Sequence, residues 1–355
     1  MEIGSEFYVD YANIDKVYPQ KLPSWLKKYG EITFTNSGRG ALRLIAQILK
    51  SKGLESIMVP SYICDSVILP ILAEDFTIYY YDVDKEFKAD EDKILRKKFD
   101  AIIVIDYFGL NTETISIKTL KKLKQQGVIL IEDTTHSMFS KTLKRNFIDF
   151  YFGSIRKWFG LPSGAFIGSN QKYNIEKNIL YKVEDRRLKA LLLKNEYIKS
   201  GNETKEQFLN LFSEAENYLD NDSDYYRLSN LSKKIVLNVD EKKLIAKRRN
   251  NYQFLLQEIK KIKNEDLSIV FNYLNDDDVP LFFPIYHSNR DELRKFLTSK
   301  NIYCPVHWPI PEHIQGKDRK KSAYQYESII SLPVDQRYDI KAMKSIVEAI
   351  EQFND

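Results

Sequence analysis

Residues 101–133 read AIIVIDYFGLNTETISIKTLKKLKQQGVILIED, and this stretch decides the fold. Ala101 to Ile105 is an unbroken apolar run that stops at Asp106, the pattern of a strand buried on both faces. Ser116 to Gln126 has the lysine-rich, spaced-apolar pattern of a surface helix. Val128 to Ile131 repeats the buried-strand pattern and ends in Glu132-Asp133. A doubly buried strand, a helix and a second such strand imply a parallel sheet with helices on its faces. Ligands of such sheets bind beyond the carboxyl ends of the strands, which is where Asp106 and Asp133 fall.

The same alternation extends outward. Gly40 to Leu49 (GALRLIAQIL) puts Leu42, Ile45 and Leu49 on one helical face. Ile57 to Pro60 is a short apolar run, and Ser66 to Ala73 has helical potential interrupted by Pro70. Thr77 to Asp82 (TIYYYD) is β-rich, and Tyr79, Tyr80 and Tyr81 read as strand and core. Phe150 to Phe152 and Ala165 to Ile167 are further strand candidates. The segment from Asn174 to Glu216 is charged and helical, without a strand signal. A long helix pattern opens at Glu241 and leads into a second α+β unit. There Leu281 to Ile285 is strand-like, while Arg290 to Ser299 and Asp339 to Phe353 are helical. The expected class is α/β, with a large domain over residues 1–235, including the N-terminal segment, and a small α+β domain over 236–355.

Composition excludes several function classes. The chain has 355 residues, 43% hydrophobic and 29% charged, as a globular protein with a sizeable core does. Its net charge of +4, from 54 basic against 50 acidic side chains, calls for no nucleic-acid partner. Two cysteines, Cys64 and Cys304, are too few for a disulfide framework or a structural zinc site, so no metal is expected and a reduced, cytoplasmic setting is. No run of about 18 apolar residues suggests a membrane span. Met1 to Asp10 carries acids and lacks the basic and apolar regions of a secretory signal.

Three segments could carry chemistry. Asn36-Ser37-Gly38-Arg39-Gly40 sets two glycines before a well-patterned helix, where free N–H groups and the dipole favour an anion. Taken alone it is an ordinary helix cap, and Arg43 breaks the dinucleotide fingerprint. Asp133 is a carboxylate at the end of a buried strand; taken alone it is a cap or an ion-pair partner. Lys157, in Ser154-Ile155-Arg156-Lys157-Trp158-Phe159-Gly160, is a lysine among aromatics, and desolvation would make it a usable amine nucleophile. A lone lysine is ordinarily a solvated surface residue. Together, a phosphate-binding helix terminus, a strand-end carboxylate and a later lysine are the parts that pyridoxal phosphate needs.

In this order the segments resemble the DegT/DnrJ/StrS family of sugar aminotransferases, nearly end to end. Ser37-Gly38-Arg39-Gly40-Ala41-Leu42 resembles the family's Ser-Gly-Thr-x-Ala-Leu phosphate segment, and Val59-Pro60-Ser61-Tyr62 its Val-Pro-Ser-Tyr loop beside the cofactor ring. Asp106-Tyr107-Phe108-Gly109 resembles its His-Leu-Tyr-Gly, and Ile131-Glu132-Asp133 the Ile-Glu-Asp that supplies the partner of the ring nitrogen. Lys157 stands at the place of the Schiff-base lysine. Tyr226-Arg227-Leu228-Ser229 resembles a segment that in the family lies near the partner subunit's active site. Val306-His307-Trp308-Pro309-Ile310-Pro311 and Ser331-Leu332-Pro333 resemble its His-Tyr-Pro-x-Pro and Ser-Leu-Pro.

The resemblance implies an aspartate-aminotransferase-like fold, pyridoxal 5'-phosphate as cofactor, and a homodimer with active sites at the interface. It implies transamination from an amino-acid donor such as glutamate to the keto group of a nucleotide-linked deoxy sugar, as in surface-polysaccharide synthesis. Lys157 and Asp133 are the implied catalytic pair. Gly38, Arg39, Gly40, Tyr62, Cys64, His136 and Ser154 are implied cofactor contacts, and Arg227 and His307 implied substrate contacts. The chain also departs from the family. Arg39 replaces a threonine, Cys64 an aromatic that stacks on the ring, and His136 a glutamine on the ring hydroxyl. Ser154 lies three residues before the lysine instead of about five, with Arg156 as a helper, and Tyr225 stands for an asparagine. The departures in ring stacking and phosphate binding keep one rival open: another pyridoxal-phosphate enzyme, aminotransferase or lyase, acting on a non-sugar carbonyl compound. A second rival, a catalytically idle homologue, is disfavoured by the retained Lys157 and Asp133.

Overall fold

The computed structural model describes residues 2–10, 21–141, 147–222, 224–314, 316 and 322–354. Its strands are β1 (Ile3–Gly4), β2 (Glu31–Thr35), β3 (Ser56–Pro60), β4 (Thr77–Tyr81), β5 (Ala101–Ile105), β6 (Ile129–Asp133), β7 (Phe150–Ser154), β8 (Ala165–Ser169), β9 (Leu267–Ile269), β10 (Phe282–His287), β11 (Ile302–Tyr303) and β12 (Ile329–Pro333). The helices are α1 (Ser24–Lys27), α2 (Gly38–Ser51), α3 (Asp65–Leu72), α4 (Glu91–Arg96), α5 (Ile117–Gln125), α6 (Tyr181–Ser200), α7 (Lys205–Asn221), α8 (Asn230–Leu237), α9 (Glu241–Ile259), α10 (Arg290–Ser299), α11 (Ala323–Ser328) and α12 (Ile340–Asn354).

The central sheet has seven strands in the order β2-β8-β7-β6-β5-β3-β4. Strands β4, β3, β5, β6 and β7 run parallel, while β8 is antiparallel to both β7 and β2. Strand β2 therefore points the same way as the parallel five. Their carboxyl ends share one edge, and α2 starts from that edge immediately after β2. This shared edge positions the site.

Burial of the sheet on both faces accounts for the continuous apolar runs. Ile103, Ile131 and Ile167 pack under α2 and α3 with Leu42, Ile45, Leu49, Val67 and Ile71. Their neighbours Ile102, Val104 and Leu130 point to the other face, against Leu120 and Leu123 of α5 and onward to Phe283, Ile285 and Ile330. Ser116 caps α5 by accepting from Thr119 N–H at 3.3 Å. Helix α3 continues through Pro70 into its last turn.

Strand β4 closes the sheet edge, so only Tyr81 of its three tyrosines is buried and Tyr79 and Tyr80 are half-buried. Strand β2, which the sequence pattern does not announce, supplies the other edge. Beyond α9, a three-stranded antiparallel sheet β12-β10-β9 forms with α10, α11 and α12. The N-terminal β1 pairs parallel with β11, Ile3 opposite Ile302, so the first residues lie on the C-terminal half of the chain.

Candidate active site

At the shared edge, Ser37 opens α2 in extended conformation and its hydroxyl accepts from Gly40 N–H at 3.0 Å. The remaining first-turn amides, at Gly38 and Arg39, form the positive end of a buried amphipathic helix. A Cβ on Gly38 would stand 3.3 Å from Ser154 Cβ, so the end of β7 lies directly against this turn. A Cβ on Gly40 would meet Asn36 Oδ1 at 2.9 Å and the backbone of Asp224 and Tyr225 at 3.0 Å. Gly38 and Ser154 are half-buried, which leaves the cradle between them open to a ligand.

Asp133 ends β6 and is buried, with Oδ1 accepting from Thr135 N–H at 2.9 Å. Burial raises its carboxyl above the ordinary carboxylate range; hydrogen bonds from Thr135 and the nearby Lys157 ammonium oppose the rise. Thr135 is a brace that the sequence did not flag. Its Oγ1 accepts from Ser154 N–H at 3.1 Å, and its carbonyl accepts from the Trp158 indole at 2.8 Å. One residue thus joins the ends of β6 and β7.

His136 is fully buried. Its Nδ1 accepts the Phe108 amide at 3.2 Å, which puts the proton on Nε2, and Nε2 is a buried donor without a partner among the described residues. Phe108 holds a left-handed φ of 57° to aim that amide, its ring locked in the core. Burial, then Lys157 and His307, push the His136 imidazole well below its usual range, so it is neutral. Its ring stacks on Trp308 at 5.2 Å and meets His307 edge-on at 5.4 Å.

Lys157 lies in the connection from β7 to β8, one turn beyond Ser154, and is half-buried. Its amine sits 5.8 Å from the centre of the Trp308 ring. It is close enough to Asp133, His136, His307 and Cys64 to act on the ionisation of all four. Cys64, half-buried just before α3, is held as a thiol chiefly by burial. His307 is buried, its Nδ1 2.8 Å from Ser331 Oγ, and burial and Lys157 bring its imidazole down to about 3. A cavity of about 410 Å³ opens beside Lys157 and His307, walled by the N-terminal residues Gly4 to Phe7 and by Tyr303.

The structure therefore brings together Lys157, Asp133, His136, His307, Cys64, Ser154, Gly38 and Gly40. Tyr62 lies one layer deeper, fully buried among Phe87, Tyr107, Tyr326 and Trp308, with its ring 5.1 Å from that of Trp308. The Arg39 guanidinium turns to α7, pairing with Asp220 at 2.6 Å and Glu216 at 3.6 Å. Glu216 also binds Arg156 at 2.7 Å and Arg187 at 2.6 Å. Arg39 and Arg156 thus dock α7 on this edge of the sheet. Arg227 is exposed, donates to the Ile175 carbonyl at 2.6 Å, and is absent from the cavity wall. Asp106 accepts from Thr112 Oγ1 at 3.1 Å and braces the turn that carries Phe108. Trp308 and Thr135 are the central residues that sequence reasoning missed. Trp308 had a signal, its place in the His-Trp-Pro motif; Thr135 had none beyond lying two residues after Asp133.

No family model and no curated protein matches this sequence. Solved structures do. An aminotransferase of the DegT/DnrJ/EryC1/StrS type from Brucella abortus superposes with a TM-score of 0.65 at 16% identity, over 97% of this chain and 95% of that one. PseC of Helicobacter pylori, an aminotransferase involved in the biosynthesis of pseudoaminic acid, superposes with a TM-score of 0.70 at 14% identity, over 100% and 99%. NtdA of Bacillus subtilis, solved with bound cofactor PMP, gives 0.65 at 16% identity, over 93% of this chain and 77% of that one. The chain shares the fold of these structures, with a mainly parallel seven-stranded sheet.

Proposed function

We propose that this chain is a pyridoxal-phosphate-dependent aminotransferase of the sugar-aminotransferase type. It moves an amino group from an amino-acid donor such as glutamate to the keto group of a nucleotide-linked sugar. The observation that carries this reading is one cluster: Lys157, the buried Asp133 and the orphaned His136 Nε2–H, beside the amino end of α2.

These residues fit the cofactor. The cradle at Gly38 and Ser154, which a larger residue at position 38 would crowd, suits a phosphate at a helix N-terminus. Asp133 is a carboxylate whose ionised form burial penalises, and a protonated ring nitrogen against it would offset that penalty. His136 Nε2–H is a buried donor in need of an acceptor, which the ring hydroxyl would supply. When bound, pyridoxal phosphate supplies an aldehyde that captures amines and a cationic ring that withdraws electrons from them.

The chain's own residues do the rest. Lys157 would be the residue that holds the aldehyde carbon, and its amine, once free, would carry the proton to and from the donor's α-carbon. Among the described residues its amine makes no hydrogen bond or ion pair, only the 5.8 Å approach to the Trp308 ring, so it is free to take up the aldehyde. Asp133 would keep the ring nitrogen protonated. His307, on the cavity wall, faces the substrate. Water would supply the oxygen with which the donor leaves as its keto acid, and the acceptor's carbonyl oxygen would leave as water when the amino group is delivered. Arg227, exposed and outside its own chain's cavity, is available to a partner subunit, in keeping with a homodimer whose sites lie at the interface.

The test is borohydride reduction of the protein with pyridoxal phosphate, followed by peptide mass spectrometry. A pyridoxyl group on Lys157, absent from Lys157→Ala, supports the reading. Adduct on other lysines only would sink it. Conversion of the bound cofactor by glutamate then separates an aminotransferase from an idle homologue.

A further inference from the structure

The cavity beside Lys157 is strongly cationic. Arg156, Lys157, Arg248, Arg294 and Arg337 line it, against Glu6 and Asp335. Most of that charge is already engaged. Arg337 holds Asp335 through two nitrogens, at 2.7 and 2.9 Å. Arg156 is paired with Glu216 at 2.7 Å. Arg248 gives its guanidinium to Gln336 Oε1 and to the carbonyls of Trp158, Pro280 and Leu281, at 2.9 to 3.2 Å. Lys157 is the amine reserved for the proposed chemistry.

Arg294 differs from all of these. It lies on α10, exposed, beside the exposed Thr298, and both line the same cavity as the buried His307. Its Nε donates to the Cys304 carbonyl at 3.3 Å, which fixes the plane of the guanidinium just after β11. No described carboxylate pairs with it, so its two terminal nitrogens form an open fork. Such a fork matches a carboxylate or a phosphate with two parallel charged hydrogen bonds. Apolar wall is supplied by Phe7 and Phe282, suited to the uncharged part of a ligand.

We propose that Arg294 is the specificity residue that grips the oxyanion of the substrate, at the end remote from the carbon that reacts at Lys157. This rests on the reading of Lys157 given above. The oxyanion has two sources: a phosphate of the keto acceptor or the far carboxylate of the amino donor.

The experiment titrates the cofactor-loaded full chain with inorganic pyrophosphate and, separately, with glutarate, by calorimetry at fixed ionic strength. Wild type is compared with Arg294→Gln and Arg294→Lys. One probe should bind wild type about 10–100-fold more tightly than Arg294→Gln, with Arg294→Lys between them. Dependence for pyrophosphate assigns the acceptor's phosphate, and dependence for glutarate the donor's carboxylate. If both probes bind Arg294→Gln as tightly as wild type, or if neither binds wild type, the proposal is overturned. The borohydride adduct on Lys157 is scored in the same samples. Its presence in Arg294→Gln shows that the variant is folded and loaded. Its absence from wild type would fault the Lys157 reading, while the probe comparison still decides Arg294.

Discussion

Replacing Gly40 with alanine sets two effects of opposite sign against each other. Gly40 lies in the first turn of α2 with an ordinary helical backbone, so helix propensity alone predicts a gain of at most about 0.5–1 kcal/mol. The tertiary structure predicts a loss. The new Cβ would stand 2.9 Å from Asn36 Oδ1 and 3.0 Å from both the Asp224 carbonyl oxygen and Tyr225 Cα. Two of those three atoms are backbone and cannot rotate away. Asn36 is itself pinned: it exchanges hydrogen bonds with Tyr226 at 3.0 and 3.1 Å, and its carbonyl accepts Gly164 N–H at 2.7 Å. Overpacking of this kind costs about 1–3 kcal/mol, leaving a net loss of about 1–2 kcal/mol. Calorimetry should show the melting temperature falling by about 1–3 °C, with weaker retention of pyridoxal phosphate because the cradle moves. A variant as stable as wild type, or more so, would refute the argument that tight backbone approach, and not chain flexibility, requires glycine here.

Glu184 is buried and accepts hydrogen bonds from the hydroxyls of Ser163, Ser229 and Ser232, so it knots the β7–β8 connection to α6 and α8. Glu184→Ala leaves those hydroxyls facing a cavity and should cost about 3–5 kcal/mol in urea denaturation; a loss under 1 kcal/mol would contradict this. The two neutral imidazoles predict an acid limb. His136 is held well below 6.5 and His307 at about 3, chiefly by burial, so below pH 6.5 the unfolded chain takes up protons that the fold declines. Stability should then fall with pH by about 1.4 kcal/mol per unit for each histidine, for His307 down to about pH 3. His307→Gln should make the slope between pH 6.5 and 4 shallower than wild type; parallel slopes would count against the burial argument.

The runs at 101–105 and 128–131 announced doubly buried parallel strands, and the face of Leu42, Ile45 and Leu49 announced α2 and its packing. These patterns are local. A strand covered on both sides must be apolar throughout, and a helix on a sheet must be apolar on one stripe. That Lys157, Asp133 and His136 would lie together was legible for a related reason, since each lies within a few residues of a strand end and the parallel topology sends all those ends to one edge. What the sequence could not decide is where long side chains go once they leave the backbone. Arg39 reads as a phosphate contact beside a glycine turn, yet its guanidinium spans to Glu216 and Asp220, far along the chain. Tyr62 reads as a ring contact, yet it is packed beneath Trp308. Edge strand β2, the pairing of β1 with β11 and the Thr135 brace likewise exist only through partners distant in sequence. Periodicity and turn chemistry act over a few residues and can be read from them. Ion-pair choice and cavity shape depend on which distant surfaces folding brings together, and only the tertiary structure sets that.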